Sequence, residues 1–268
     1  MSSENPRVHP VHPVDAETVE VPLDVEVPSP ETAPTGTAGP WRDPDEVRIA
    51  FLLFPDLTLL DLTGPAQVLT RVPGARVEYV AASPDPVPTD TGLAVVPTAT
   101  IADASPADVL VVPGGRGAFD AMCAPEVVGF VRREAERATW VTSVCTGAFV
   151  LGAAGLLAGK RATTHWASSP LLAAFGAQPV EERVVDDGSV VTAAGVSAGI
   201  DMALWLAGEL AGRAVVEGIQ LQIEYDPQPP FDAGSAARAD TRVVAEARAA
   251  AEAERGALVE RAAAAVMR

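Results

Sequence analysis

Cysteine and histidine are scarce in this 268-residue chain: two of the first, three of the second. Two thiols cannot form a disulfide framework for a chain of this size, and the simpler expectation is a reducing compartment. Histidine supply is thinner than the count implies. His9 and His12 lie in a Pro- and acid-rich stretch, where a solvated tail is the plain expectation, which leaves His165 for the ordered part. No clustered metal ligands, no P-loop and no strand-linked GxGxxG occur, so no metal and no cofactor are expected. Basic residues are outnumbered, 19 Lys+Arg against 36 Asp+Glu, for a formal net charge of -17. No Lys/Arg cluster stands out. That balance excludes the electrostatic footprint of a nucleic-acid binder and of a protein drawn to anionic membranes. The longest apolar stretch, Ala148 to Ala158, is too short to span a bilayer and is interrupted by glycine. No basic segment followed by an apolar one opens the chain, so the expected location is cytoplasmic.

What remains is a hydrophobic share of 48%, enough for a substantial core. Residues 1–45 show no lasting apolar periodicity and read as a disordered Pro/acid-rich extension. Order begins at Val47. Val47 to Phe54 reads as a buried strand, followed by a loop through Asp61 to Pro65 and a short helix over Pro65 to Arg71. Val77 to Ala82 is a second strand. Pro86 to Thr89 and Leu93 to Thr98 suggest a hairpin. Val109 to Val112 is a short buried strand ending at Pro113-Gly114-Gly115. Helical spacing covers Pro125 to Ala138. Further on, Pro170 to Phe175 suggests a short helix. Val180 to Val185 and Val190 to Thr192 flank the turn signal Asp187-Gly188. Helices follow from Ser197 to Leu210 and from Ala214 to Ile223. Strands alternate with helices, which predicts an α/β domain with a mainly parallel sheet covered on both faces. The catalytic domain is expected over residues 46–230. Residues 231–268 are expected as a loop and an Ala/Arg/Glu-rich helix packed on the domain or on a partner subunit.

The most informative stretch is WVTSVCTGAFVLGAAGLLAGKRATTHW, residues 140–166. A β-branched run meets Cys145, and an apolar helical pattern begins straight after Thr146 and Gly147. This is a strand, a turn and a helix, with a thiol at the turn. Unpaired backbone N–H groups at a helix start favour the thiolate. The alternative is a buried small hydrophobe, since free cysteine is among the most buried residue types.

In open parallel sheets, ligands bind beyond the carboxyl ends of the strands. Three connections leave such ends here, carrying Asp61, then Gly114 and Gly115, then Cys145 and Thr146. Their convergence on one pocket is the central expectation. Cys145 would be the nucleophile, and the N–H groups of Gly115 and Thr146 would stabilise charge on an intermediate. Asp61 has two readings: a cap for the turn at Pro65, or a desolvated carboxyl with a raised pKa that serves as general acid. Gly114-Gly115 could equally be a simple tight turn. His165 could approach the pocket from the side or be structural. Cys123 is expected to be a bystander.

Several segments resemble the isonitrile (isocyanide) hydratases of the ThiJ/PfpI superfamily, which have a class I glutamine-amidotransferase-like architecture. They are FLLFPDLTLLDLTGP, VVPGG, VTSVCTGAFVLGAAGLLAGKRATTHWA, AGVSAGIDMAL and LQIEYDPQPPFDAGS. The elbow segment marks the superfamily; LDLTGP together with YDPQPPF marks the hydratase-like branch. The resemblance implies a flavodoxin-like three-layer sandwich with a nucleophile elbow. It also implies a homodimer acting on a small-molecule isocyanide with neither metal nor organic cofactor. By the same resemblance the nucleophile falls on Cys145, the acid/base carboxylate on Asp61 and the residue after the nucleophile on Thr146. Ile200 falls where the family places a side chain near the nucleophile-bearing helix. Protease-like relatives carry Cys-His at the elbow, and Cys145-Thr146 departs from that. Redox-chaperone relatives carry Glu on the first loop, and Asp61 departs from that. Two other functions stay open: a redox-sensing or stress-protective protein using the same thiol, and a small-ligand sensor domain like those of transcription regulators.

Overall fold

The computed structural model describes residues 46–266. The expected disordered extension, with His9 and His12, lies outside the described residues. In chain order the elements are β1 (Val47–Leu52), α1 (Leu59–Leu69), β2 (Ala75–Ala81), β3 (Val87–Pro88), β4 (Ala94–Val95), β5 (Ala99–Thr100) and β6 (Val109–Val112). Then come α2 (Ala118–Ala121), α3 (Pro125–Ala135), β7 (Trp140–Val144), α4 (Gly147–Ala153) and β8 (Arg161–Ala162). A 3-10 helix (Trp166–Phe175), β9 (Gln178–Pro179), β10 (Val184–Asp187), β11 (Val190–Ala193), α5 (Ala198–Ala211), α6 (Arg213–Gln222) and α7 (Thr241–Val266) complete it.

Seven strands form one sheet in the order β10-β11-β7-β6-β1-β2-β5. Its pairs are parallel except β10–β11, the hairpin turned at Asp187-Gly188. Helices α1, α5 and α6 pack together on one side; α2, α3, α4, the 3-10 helix and α7 pack together on the other. This is the three-layer α/β sandwich with a mainly parallel sheet. Both faces are covered, so the central strands are apolar at every position rather than alternating. Val109, Leu110, Val111 and Val112 are all fully buried. The expected hairpin near residues 86–98 forms as β3–β4, in a small sheet of its own.

The chain runs outward from β1 through β2 to β5, then returns to the far side of β1 as β6 and continues to β7. The reversal lies between β1 and β6, the kind of switch point where open α/β sheets leave a crevice. The connections after β1, β6 and β7 therefore leave three adjacent strands on one edge of the sheet.

Several helices differ from their expected bounds: the 3-10 helix starts at Trp166 rather than Pro170, and α3 ends at Ala135 rather than Ala138. Helix α1 starts at Leu59, not Pro65, and carries Pro65 inside it. Tertiary packing overrides the local breaker. A side chain on Gly64 would lie 3.0 Å from Ile200, and one on Gly199 would lie 3.1 Å from Pro65, so α1 and α5 touch closely there. Helix α4 is shorter than the apolar run that follows Cys145. It ends at Ala153, and Gly155 turns the chain with a left-handed φ of 81°.

Gly147, the first residue of α4, leaves no room for a side chain. A Cβ there would sit 2.3 Å from the Val112 carbonyl oxygen and 2.6 Å from that of Pro113. These are backbone atoms at the end of β6 and cannot swing aside. Gly147→Ala should cost more than about 2 kcal/mol of stability, read as a lower urea midpoint with an unchanged slope.

Candidate active site

Cys145 follows β7 directly and has a φ of 55°, a left-handed conformation that costs a non-glycine residue about 1–3 kcal/mol. The backbone on either side holds it there. Its N–H donates to the carbonyls of Ala193 (3.0 Å) and Ala194 (2.8 Å), at the end of β11. Its carbonyl accepts from the Thr164 hydroxyl at 2.6 Å. Thr146 and Gly147 then open α4.

Asp61 lies in the first turn of α1, fully buried. It is not a cap: the N-cap position is Thr58, and the Asp61 Oδ2 instead accepts from the Gly114 N–H at 2.9 Å. Its other oxygen, Oδ1, is buried without a hydrogen-bond partner. Because Oδ2 must accept, Oδ1 is the oxygen able to carry a proton. The Thr146 hydroxyl accepts from the Gly115 N–H and can donate to the Gly115 carbonyl, each at 2.8 Å. Gly115 adopts a φ of 118°, and a side chain on it would collide with the Asp56–Thr58 backbone.

Gly114 reports the convergence of the three connections. A Cβ on it would lie 2.6 Å from the Thr146 N, 2.7 Å from Asp61 Oδ2 and 2.8 Å from the Cys145 Cβ. Backbone donor, carboxyl and nucleophile side chain thus surround one small space, which glycine keeps open.

The electrostatics differ from the sequence expectation. Cys145 is 6% exposed, and burial together with the neighbouring Asp61 charge pushes its thiol up to about 12. The backbone and side-chain hydrogen bonds from Thr146, and the positive charge of Arg255, act in the opposite direction and are outweighed. The resting sulfur is therefore a thiol, not the thiolate that the turn alone predicts. Burial likewise raises Asp61 to about 7, against the downward pull of the Gly114 N–H. Between those two values the pair holds one proton.

Other expected residues are placed less centrally. The Gly114 and Gly115 N–H groups are committed to Asp61 and Thr146, so neither is left over as an independent oxyanion donor. Thr146 supplies the N–H directed at the sulfur. Ile200, in the first turn of α5, lies against Gly64 of the Asp61 helix. The His165 Nδ1 accepts from the Ala167 N–H at 3.4 Å and caps the 3-10 helix, with its ring 5.7 Å from that of Trp166. Cys123 is exposed between α2 and α3. Thr164 and Arg255 were not singled out from the sequence. Thr164 could have been suspected from its place beside His165; nothing in the local pattern marks Arg255. Among the described residues, no cluster of three or more His, Cys, Asp or Glu could hold a metal. Among them, too, no helix is long and apolar enough to cross a membrane.

A cysteine at a strained strand-to-helix turn, on the carboxyl edge of a parallel sheet and beside a buried carboxyl group, defines a class of α/β proteins built around an elbow thiol. The DJ-1/PfpI family matches residues 47–209, and the chain belongs to it. It is 51% identical over 198 residues to isonitrile hydratase of Pseudomonas putida, covering 74% of this chain and 87% of that protein. A ThiJ/PfpI family protein from Pseudomonas syringae superposes with a TM-score of 0.79 at 40% identity, covering 85% of this chain and 98% of that one. The HTH-type transcriptional regulator GbdR of Pseudomonas aeruginosa is 28% identical over 186 residues, covering 66% of this chain but 50% of the regulator.

The raised Asp61 carboxyl has a consequence for stability. The folded protein binds this proton more tightly than the unfolded chain does, so the stability it contributes is lost as pH rises from about 4 toward about 7, and this group's contribution is level above that. Asp61→Asn keeps the acceptor for Gly114 and removes the buried charge. It should stabilise the fold by on the order of 3 kcal/mol at pH 8 and by almost nothing at pH 4, measured as the pH dependence of the urea midpoint.

Proposed function

We propose that this protein hydrates organic isocyanides to N-substituted formamides, with Cys145 as nucleophile and Asp61 as the proton carrier. The reading rests above all on the crowding of the Asp61 carboxyl, the Cys145 side chain and the Thr146 N–H around the space that Gly114 leaves open. The similarity to the Pseudomonas putida hydratase supports it.

The terminal isocyanide carbon needs one sulfur bond and one proton. Between about pH 7 and 12 the Cys145–Asp61 pair holds one proton, on the thiol. Asp61 takes the thiol proton as sulfur attacks, then delivers it to the same carbon. The product is a thioimidate, R–N=CH–S–Cys. Water adds to its carbon while Asp61 removes a water proton and passes it to nitrogen. The tetrahedral adduct then loses its hydroxyl proton to Asp61 and expels the sulfur, which is reprotonated. One isocyanide and one water give one formamide, and the thiol and carboxyl return to their starting states. Splitting one difficult addition into two easier steps is the general benefit of covalent catalysis. A weakly acidic thiol suits this sequence, because the proton needed at carbon arrives with the nucleophile. The Thr146 N–H, directed at the sulfur, favours its anionic form during attack and departure.

The same chemistry weakens the redox reading. Oxidation to sulfenic acid follows thiolate character and exposure, and Cys145 has little of either. The net charge of -17 also disfavours contact with DNA. The reading includes a homodimer in a reducing cytoplasm, with a small molecule as its partner and no nucleic acid or membrane. The thiols, exposed Cys123 and buried Cys145, are both unpaired.

Incubation with a simple alkyl or aryl isocyanide should abolish the infrared N≡C stretch and yield the formamide. Cys145→Ala should lower kcat by about a thousandfold or more, and Asp61→Asn by about a hundred- to ten-thousandfold. Turnover by Cys145→Ala at the unaltered rate would refute the mechanism.

A further inference from the structure

Helix α7 lies beyond residues 47–209, the span that defines the family. It packs on α2, on α4 and on the 3-10 helix, the elements that surround the elbow on one face of the sheet. Ala251, Val259, Ala262 and Ala263 bury its inner side. Within that side stands Arg255, partly buried. Its Nη1 donates to the Ser168 Oγ at 2.8 Å, and Ser168 is fully buried. Its guanidinium carbon also lies 5.8 Å from the centre of the Phe119 ring.

These two contacts belong to different elements, α2 and the 3-10 helix. Phe119 belongs to α2, the element that the Gly114-Gly115 connection leads into, and its ring is 5.4 Å from that of Phe149 in α4. Ser168 lies in the first turn of the 3-10 helix, four residues after Thr164. The Ser168 N–H donates to the His165 carbonyl, and the Thr164 hydroxyl holds the Cys145 carbonyl. Arg255 therefore joins the segment that carries Gly114 and Gly115 to the segment that fixes the cysteine backbone.

Building on the hydratase reading above, we propose that Arg255 of the C-terminal helix is a positioning residue for the Cys145 chemistry. Its guanidinium ties Phe119, at the end of the Gly115–Phe119 segment, to Ser168 in the first turn of the 3-10 helix, and supplies a fixed positive charge on this side of the elbow. That charge favours an anionic sulfur and a neutral His165. It thus opposes the two influences that hold the proton on sulfur, burial and Asp61. The charged groups acting on the thiol are Asp61 from α1 and Arg255 itself, with Asp90 acting on Asp61 and Arg255 also acting on His165. Arg248, two turns earlier on α7, sits 5.7 Å from the Trp166 ring and is exposed, so it reports on helix docking without joining those two elements.

The experiment compares full-length Arg255→Gln, Arg255→Lys and Arg248→Gln with the parent protein. Iodoacetamide alkylation of Cys145 is followed by mass spectrometry of its own peptide between about pH 7 and 10, beside kcat and KM for a simple isocyanide. Arg255→Gln should slow alkylation at each pH by about tenfold, equivalent to about one unit in the thiol pKa. It should lower kcat by a similar factor and leave KM within about twofold. Arg255→Lys, which keeps the charge, should recover most of the alkylation rate. Arg248→Gln should leave the alkylation profile in place. Parental alkylation in Arg255→Gln would overturn the proposal. So would equal slowing in Arg255→Lys and Arg248→Gln, which would show a purely structural role. If the parent protein leaves isocyanides untouched, the hydratase reading fails while the alkylation series still tests what Arg255 does to the thiol.

Discussion

The left-handed backbone at Cys145 depends on strands and turns that are far apart in the chain. A non-glycine residue adopts this conformation only when its surroundings impose it, because the local penalty is a sizeable part of a typical domain's stability. The imposition comes from the end of β11, whose Ala193 and Ala194 carbonyls hold the Cys145 N–H, and from Thr164, which holds its carbonyl. The sheet order places β7 between β11 and β6, so the strained residue is braced from one neighbour and faces the Gly114 connection of the other. Strain at that point turns the thiol away from the sheet and toward the carboxyl group on α1.

Two opposing effects then set the chemistry of the pair. N–H groups around the elbow stabilise negative charge, while removal from water destabilises it. Desolvation wins at both Cys145 and Asp61, because each is almost fully enclosed; the Asp61 charge further opposes ionisation of the thiol, whereas the hydrogen bond from Cys145 favours the Asp61 carboxylate and is outweighed. The outcome is a shared proton rather than a free thiolate. For a substrate whose carbon must be protonated as it is attacked, that arrangement is more useful than a permanently charged sulfur. It also accounts for the choice of a carboxyl group over histidine: His165 is engaged in capping the 3-10 helix.

Helix α7 extends this theme. Its inner face is mostly alanine, so it approaches the 3-10 helix and α4 closely, and one long cationic side chain can reach both α2 and the 3-10 helix. A stripe of small residues thus permits the close approach, and Arg255 contributes the specific contact.

The sequence by itself determined a good deal. The unbroken apolar runs at Ile49–Leu53 and Val109–Val112 require a sheet buried on both faces, and the helical patterns between the strands require parallel crossovers. The thiol at a strand-to-helix turn and the glycines after β6 were readable because local backbone sterics leave few other uses for them. Tertiary structure alone decided the rest. Pro65 lies inside a helix because α5 presses on Gly64 and Pro65. Asp61 is not a cap because its partner, Gly114, is 53 residues away. The acidity of Cys145 was set against its local signal because desolvation is a sum over everything packed around an atom, most of it distant in the chain. Arg255 was invisible for the same reason: a cation in an Ala/Arg/Glu-rich helix looks like any solvated one until the fold brings Ser168 and Phe119 to it.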